Sequence, residues 1–239
     1  MMRRRLLTVA TMGLALVLTL SAAPTATATT APTTTGSGTA REPVILVHGF
    51  LATSINMAVM KRSFEDAGYP AYTLDLPGAN NIENAHAIAR LVDHLRTTTG
   101  ASKVSLVSHS MGGLSTRYYL KRLGGTAHVR SYVAFGTPQY GFAPACLLLL
   151  DDLGKQMCPS SGFLADLNAG DDTPGDVAYT TMRSSLDSPD TYLLDGGACF
   201  HEIPGVVHDL EPASGAFFEA ALSAVEGRCP GTFVTLPPR

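Results

Sequence analysis

Lys103-Val104-Ser105-Leu106-Val107-Ser108-His109-Ser110-Met111-Gly112-Gly113 is the stretch whose reading decides the fold. Val104, Leu106 and Val107 make a short apolar strand, and a helix is expected from about Leu114. Between them, Ser108, Gly112 and Gly113 supply the small residues that a cramped strand-to-helix turn requires. A serine at the apex of such a turn has its hydroxyl pushed out above the sheet edge, at the positive end of the following helix. Ser110 is therefore the candidate nucleophile. Small-x-Ser-x-Gly is a loose pattern in a chain rich in Ser, Ala and Gly, and a serine can also simply cap a helix. The strand before it and the helix after it supply the specificity.

Outward from this turn, apolar runs and helical periodicities alternate. Pro43 to Val47 is continuous and β-branched, as in a strand buried on both faces, and it ends in His48-Gly49-Phe50. Met57, Met60 and Phe64 predict a helix over Asn56 to Ala67, closed by Gly68; Ala71 to Leu74 follows as a strand. Ile88, Leu91, Val92 and Leu95 predict a helix over about Asn84 to Thr98. After the Ser110 turn, a helix carries Leu114, Tyr118 and Leu123, and strands are expected at Val129 to Phe135, Val177 to Thr181 and Cys199 to Ile203. A helix over Ser214 to Val225 closes the series. Such alternation means a mostly parallel central sheet with helices on both faces, its ligand site at the carboxyl ends of the strands. His48, Ser110, Thr137 and the segments after Thr181 and Ile203 all fall at such ends.

The 239 residues, 45% of them hydrophobic, suffice for one domain with a substantial core. Charged residues are 15% and the net charge is −3, with Lys/Arg clustered only at the N-terminus, which disfavours nucleic acid as a partner. Arg3-Arg4-Arg5, the apolar run from Leu6 to about Leu20 and Ala26-Thr27-Ala28 read as a signal peptide over residues 1–28. Removing it makes the chain more acidic. Residues 29–40 read as a Thr/Ala/Pro-rich flexible linker, and 41–239 are expected to form the catalytic domain that Ser110 would serve. Export to the extracellular space makes Cys146, Cys158, Cys199 and Cys229 readable as disulfides, with three connectivities open. Sequence order favours Cys146–Cys158 and Cys199–Cys229, each stapling a local excursion. No Cys-x-x-Cys pair suggests zinc, and no metal or organic cofactor is expected.

As a set, Val47-His48-Gly49-Phe50, Ser108 to Gly113, Phe135-Gly136-Thr137-Pro138 and Gly205-Val206-Val207-His208 resemble the small secreted bacterial lipases and esterases of the α/β-hydrolase superfamily, over about Pro43 to Val225. Ser108 departs from the glycine usual at its position. The resemblance implies an α/β-hydrolase fold with a minimal or small lid, and a nucleophile, acid and base in the order Ser, Asp or Glu, His. Of seven histidines, His48, His86, His94, His109 and His128 precede, abut or open elements near the turn, which leaves His201 and His208; the resemblance implies His208, in the loop before the last helix, as base, with His201 as runner-up. The acid is Asp187 in Ser184-Ser185-Leu186-Asp187, with Asp190 as the alternative; Asp195 reads as a turn residue, and Asp172 and Asp176 lie at the wrong strand end. The backbone amides of Phe50 and Met111 are implied as the oxyanion hole.

The segment between Cys146 and Cys158 holds Leu147 to Leu150, Leu153 and Met157, followed by Phe163 and Leu164. It would line an acyl pocket, form a small lid or simply pack on the domain. The expected activity is hydrolysis of lipid carboxylic esters through an acyl-enzyme, by a monomer in transient contact with lipid. Acyl transfer, thioester or polyester hydrolysis on the same triad, and a catalytically silent binding protein on the same fold, are the alternatives.

Overall fold

The computed structural model describes residues 41–187 and 193–236. The signal peptide and linker read over residues 1–40, and Asp190, lie outside the described residues. Seven strands form one sheet in the order β2-β1-β3-β4-β5-β6-β7. They are β1 (Val44–Val47), β2 (Ala71–Leu74), β3 (Val104–His109), β4 (Val129–Phe135), β5 (Ala178–Ser184), β6 (Gly196–Ile203) and β7 (Thr232–Leu236). The first six pair in parallel and β7 runs antiparallel to β6. The mostly parallel sheet expected from the alternating pattern is the one found.

Burial explains why β1 reads as an unbroken apolar run. Val44 and Leu46 enter one core with Met60 and Phe64 of α1 (Ala58–Asp66) and Phe217 and Ala221 of the last long helix. Ile45 and Val47 enter the opposite core with Ile88, Val92 and Leu95 of α2 (Asn81–Thr99) and Tyr119 and Leu120 of α3 (Met111–Arg122). With a helical layer on each face, neither side of the strand can be polar. The remaining helices are α4 (Gly162–Leu167) and α5 (Gly215–Val225). No described helix is long and apolar enough to cross a membrane.

Boundaries differ from the sequence reading where capping decides them. α2 starts at Asn81, three residues early, because the Asn80 side chain accepts from the N–H groups of Ile82 and Glu83. Gly100, in the left-handed conformation at φ 72°, ends it as expected. The helix expected over Asn56 to Ala67 is divided into a 3-10 turn, Ser54–Met57, and α1. β7 was not anticipated. It is an exposed edge strand, so no buried face imposes an apolar pattern on it.

Cys146 is bonded to Cys158 and Cys199 to Cys229, the pairing that sequence order favoured. The second bridge joins β6 to the approach to β7 across 30 residues. In the chain-entropy view such a loop closure stabilises by about 3–4 kcal/mol through the unfolded state. A Cys199→Ser/Cys229→Ser double variant should lose about that much unfolding free energy in denaturant titration. An unchanged midpoint would show that the bridge restrains only the edge.

Candidate active site

β3 turns into α3 at Ser110, which has φ 54° and ψ −132°. A positive φ in a residue with a Cβ is strained by about 1–3 kcal/mol and persists only when surroundings enforce it. Here they do. The Ser110 N–H donates to the carbonyl of Phe135 at 2.9 Å, and its own carbonyl accepts from Gly113 N–H at 3.0 Å. Close approach also dictates the neighbouring glycines. A Cβ on Gly49 would lie 2.7 Å from that of Ser110, one on Gly112 would strike the His48 carbonyl, and one on Gly113 would strike Thr137. The unusual Ser108 is accounted for by a buried pair. Thr116 donates to the Gly112 carbonyl at 2.8 Å, so the Ser108 hydroxyl donates to Thr116 Oγ1, also at 2.8 Å.

Three of the residues singled out in the sequence meet at this turn. His208 Nε2 lies 3.0 Å from Ser110 Oγ, and His208 Nδ1 lies 3.3 Å from Asp187 Oδ1. Ser110 can donate to Nε2 only if the imidazole carries its proton on Nδ1, facing Asp187. His208 opens a 3-10 turn, His208–Ala213, while Asp187 follows β5 with its N–H bonded to the Ser184 carbonyl at 3.1 Å. Burial pushes the Asp187 carboxyl up, but hydrogen bonds from His208 and Glu211, the histidine charge and the Ser184 contact outweigh it. The net position is below the ordinary carboxylate value. Asp187 therefore stays ionised opposite the imidazole.

Glu211 was missed in the sequence. It lies three residues beyond His208, and in a 3-10 turn residues i and i+3 share a face. Its carboxyl is fully buried, with Oε1 accepting from Ser184 N–H at 3.1 Å and Oε2 3.7 Å from His208 Nδ1. Burial, then the hydrogen bond and charge of Asp187, push it up to about 9. Two carboxylates cannot both ionise in so small a volume, so Glu211 is the protonated one. His109 stands beside it, Nε2 3.4 Å from Glu211 Oε2, and its ring lies 4.6 Å from that of His208. Burial, then the charge on His208, drop His109 to about 3, so it is neutral. Room for this group comes from Gly136, at φ 57°, where a Cβ would sit 2.7 Å from His208 Cε1.

Other candidates separate cleanly. His201 is within β6, paired across to Met182, and takes no part in the cavity. Asp172 is buried in a structural cluster, ion-paired to Arg117 at 3.0 Å and Lys121 at 2.6 Å and accepting from Tyr140 at 2.9 Å. Asp176 lies 3.9 Å from Lys103 at the surface, and Asp195 is buried with its N–H bonded to Tyr140. His48 has a fixed tautomer: Nδ1–H donates to the Gly49 carbonyl at 2.9 Å while Nε2 accepts from Leu76 N–H at 3.0 Å. It thereby holds the turn carrying Phe50, while Met111 opens α3 directly after Ser110.

Ser110 and His208 open onto a cavity of about 470 Å³ whose walls include Phe50, Ala52, Phe142, Met157, Leu186 and Pro212. The leucine-rich segment divides its residues. Met157 and Ala145 pack inward with Leu164 and Leu167, whereas Leu147, Leu149, Leu150 and Leu153 are exposed. Gln156 pins the segment by accepting from Asn81 N–H and Nδ2 at 2.7 and 3.2 Å.

A model of the α/β hydrolase fold family matches residues 42–153. Triacylglycerol lipases of Pseudarthrobacter phenanthrenivorans and Burkholderia plantarii are each 31% identical over 111 residues, covering 42% of this chain and 34% and 30% of theirs. The chain thus spans about a third of the curated relatives it matches. Among solved structures, lipase B of Aspergillus fumigatus superposes with a TM-score of 0.65 at 18% identity, over 80% of this chain and 54% of that one. A Listeria innocua gene product gives 0.62 at 15% identity, over 83% of this chain and 100% of that one. The chain has the α/β-hydrolase fold.

Proposed function

We propose that the protein is a secreted serine hydrolase that cleaves carboxylic esters of lipids. The observation that carries this reading is the hydrogen-bonded series Ser110, His208, Asp187 opening on an apolar cavity. A free serine hydroxyl is a poor nucleophile, and His208 Nε2 is placed to take its proton as Oγ attacks the ester carbonyl. Asp187 holds Nδ1–H and offsets the charge that forms on the imidazole. The amides of Phe50 and Met111 stabilise the oxyanion, a contribution of about 3–4 kcal/mol per donor where such groups have been removed. His208 then protonates the departing alcohol, and a water activated by the same nitrogen releases the acid from the acyl-enzyme. Two disulfides fit an oxidising, extracellular setting.

The surroundings of the cavity mouth favour water-insoluble substrates. Leu51, Ile55, Leu186 and Leu210 are exposed beside cavity-lining neighbours, and Leu147 and Leu149 project from the loop that supplies Phe142 and Met157. Leu51 even holds a positive φ of 52° while 86% exposed. An apolar rim of this kind suits a lipid surface, where each leucine buried gains up to about 2 kcal/mol.

Ser110→Ala should lower kcat for a soluble p-nitrophenyl ester by about 10⁶, and Asp187→Ala by about 10⁴, with circular dichroism unchanged. Substantial turnover by Ser110→Ala would refute the mechanism. An Ile55→Ser/Leu147→Ser/Leu149→Ser variant should keep activity on the soluble ester yet lose about tenfold or more on emulsified triglyceride. Equal losses on both substrates would remove the lipid-surface role.

A further inference from the structure

Behind the His208 imidazole, three groups converge that ester hydrolysis does not all require. Glu211 Oε2 lies 3.4 Å from His109 Nε2 and 3.7 Å from His208 Nδ1, and one such atom from each residue lies within 4.8 Å of the others. His109 Nε2 and Glu211 Oε2 are both sealed from water, and His109 Nε2 meets no hydrogen-bond partner. We propose that His109, His208 and Glu211 form a binding site for a borderline divalent transition metal, best matched by Zn²⁺, whose occupancy arrests catalysis.

Two imidazoles and a carboxylate are a zinc donor set, whereas Ca²⁺ and Mg²⁺ need more oxygen ligands than the cluster offers. Neighbouring ligand atoms around a tetrahedral Zn²⁺ with bonds of about 2.1 Å stand about 3.4 Å apart, close to the separations here. Asp187 Oδ1, 3.3 Å from His208 Nδ1, is at hand for a fourth position. Gly136 keeps this flank free of a side chain, and both His109 and His208 line the cavity, so an ion has a route in.

The consequence follows from proton bookkeeping. Binding forms a bond from the Nδ1 lone pair to the metal, and the ring proton moves from Nδ1 to Nε2. Glu211 binds as carboxylate and its proton goes to solvent. Nε2 then donates towards Ser110 instead of accepting from it. Catalysis stops without any change of fold.

The inhibitory readout rests on the hydrolase reading, whereas direct binding does not. Equilibrium dialysis of the mature protein should find one Zn²⁺ per chain, weakened about tenfold or more by either Glu211→Gln or His109→Asn. Ester hydrolysis, scaled to each variant's own metal-free rate, should fall in parallel with occupancy and return with EDTA, while Mg²⁺ and Ca²⁺ have no effect. Circular dichroism identifies a variant that fails to fold, and the other then decides. Zn²⁺ binding with no hydrolysis of any ester leaves the site standing and removes the hydrolase reading. No binding up to millimolar Zn²⁺, or binding and inhibition unaltered in both variants, overturns the site.

Discussion

Everything at the site depends on how closely two segments cross at Ser110. The turn after β1 and the start of α3 pass within van der Waals contact of one another, which removes the side chain from Gly49 and Gly112, while Thr137 after β4 removes it from Gly113. The same crowding holds Ser110 at a positive φ that it would not otherwise adopt. The strain is balanced by the parallel pairing of β3 between β1 and β4, the middle of the sheet, where local rearrangement would break ladders on both sides. A hydroxyl anchored in this way has little freedom, which suits the role proposed for it.

A second constraint is electrostatic. Asp187 and Glu211 are packed with two histidines in a space that admits one negative charge. The more exposed Asp187 keeps it, because His208 answers it directly. Glu211 remains neutral and braces the Ser184 amide at the end of β5. The loop that carries Asp187 is therefore fastened from beneath by a group that carries no charge of its own.

The fold was legible because burial on both faces leaves a plain mark: β1 reads as a continuous apolar run, β3 and β4 are dominated by Val, Leu, Tyr and Phe, and the helices between them keep a clean period. Ser110, Asp187 and His208 were legible because each ends or follows a strand, in an order that the resemblance made specific. Glu211 was not. A glutamate in a His-Asp-Leu-Glu-Pro turn has the composition of a solvated loop, and only the tertiary fold seals it from water. β7 escaped for the converse reason, since an edge strand with an exposed Phe233 has no buried face to impose a pattern. The division of the leucine segment into packed and exposed members was likewise invisible, because leucines in both settings are the same residue.

That segment is tied at more places than its loop-like sequence suggests. Its ends are joined by Cys146–Cys158, with Cα atoms 4.6 Å apart, and Gln156 is bonded to the start of α2. Just beyond, Asn168 and Asp172 clamp the buried guanidinium of Arg117 in α3, the helix that begins directly after Ser110. A ring fastened in this way cannot swing outward as a flap on a distant hinge. Phe142 N–H is bonded to the Met157 carbonyl at 2.7 Å, so both of these cavity walls rest on the same closed ring.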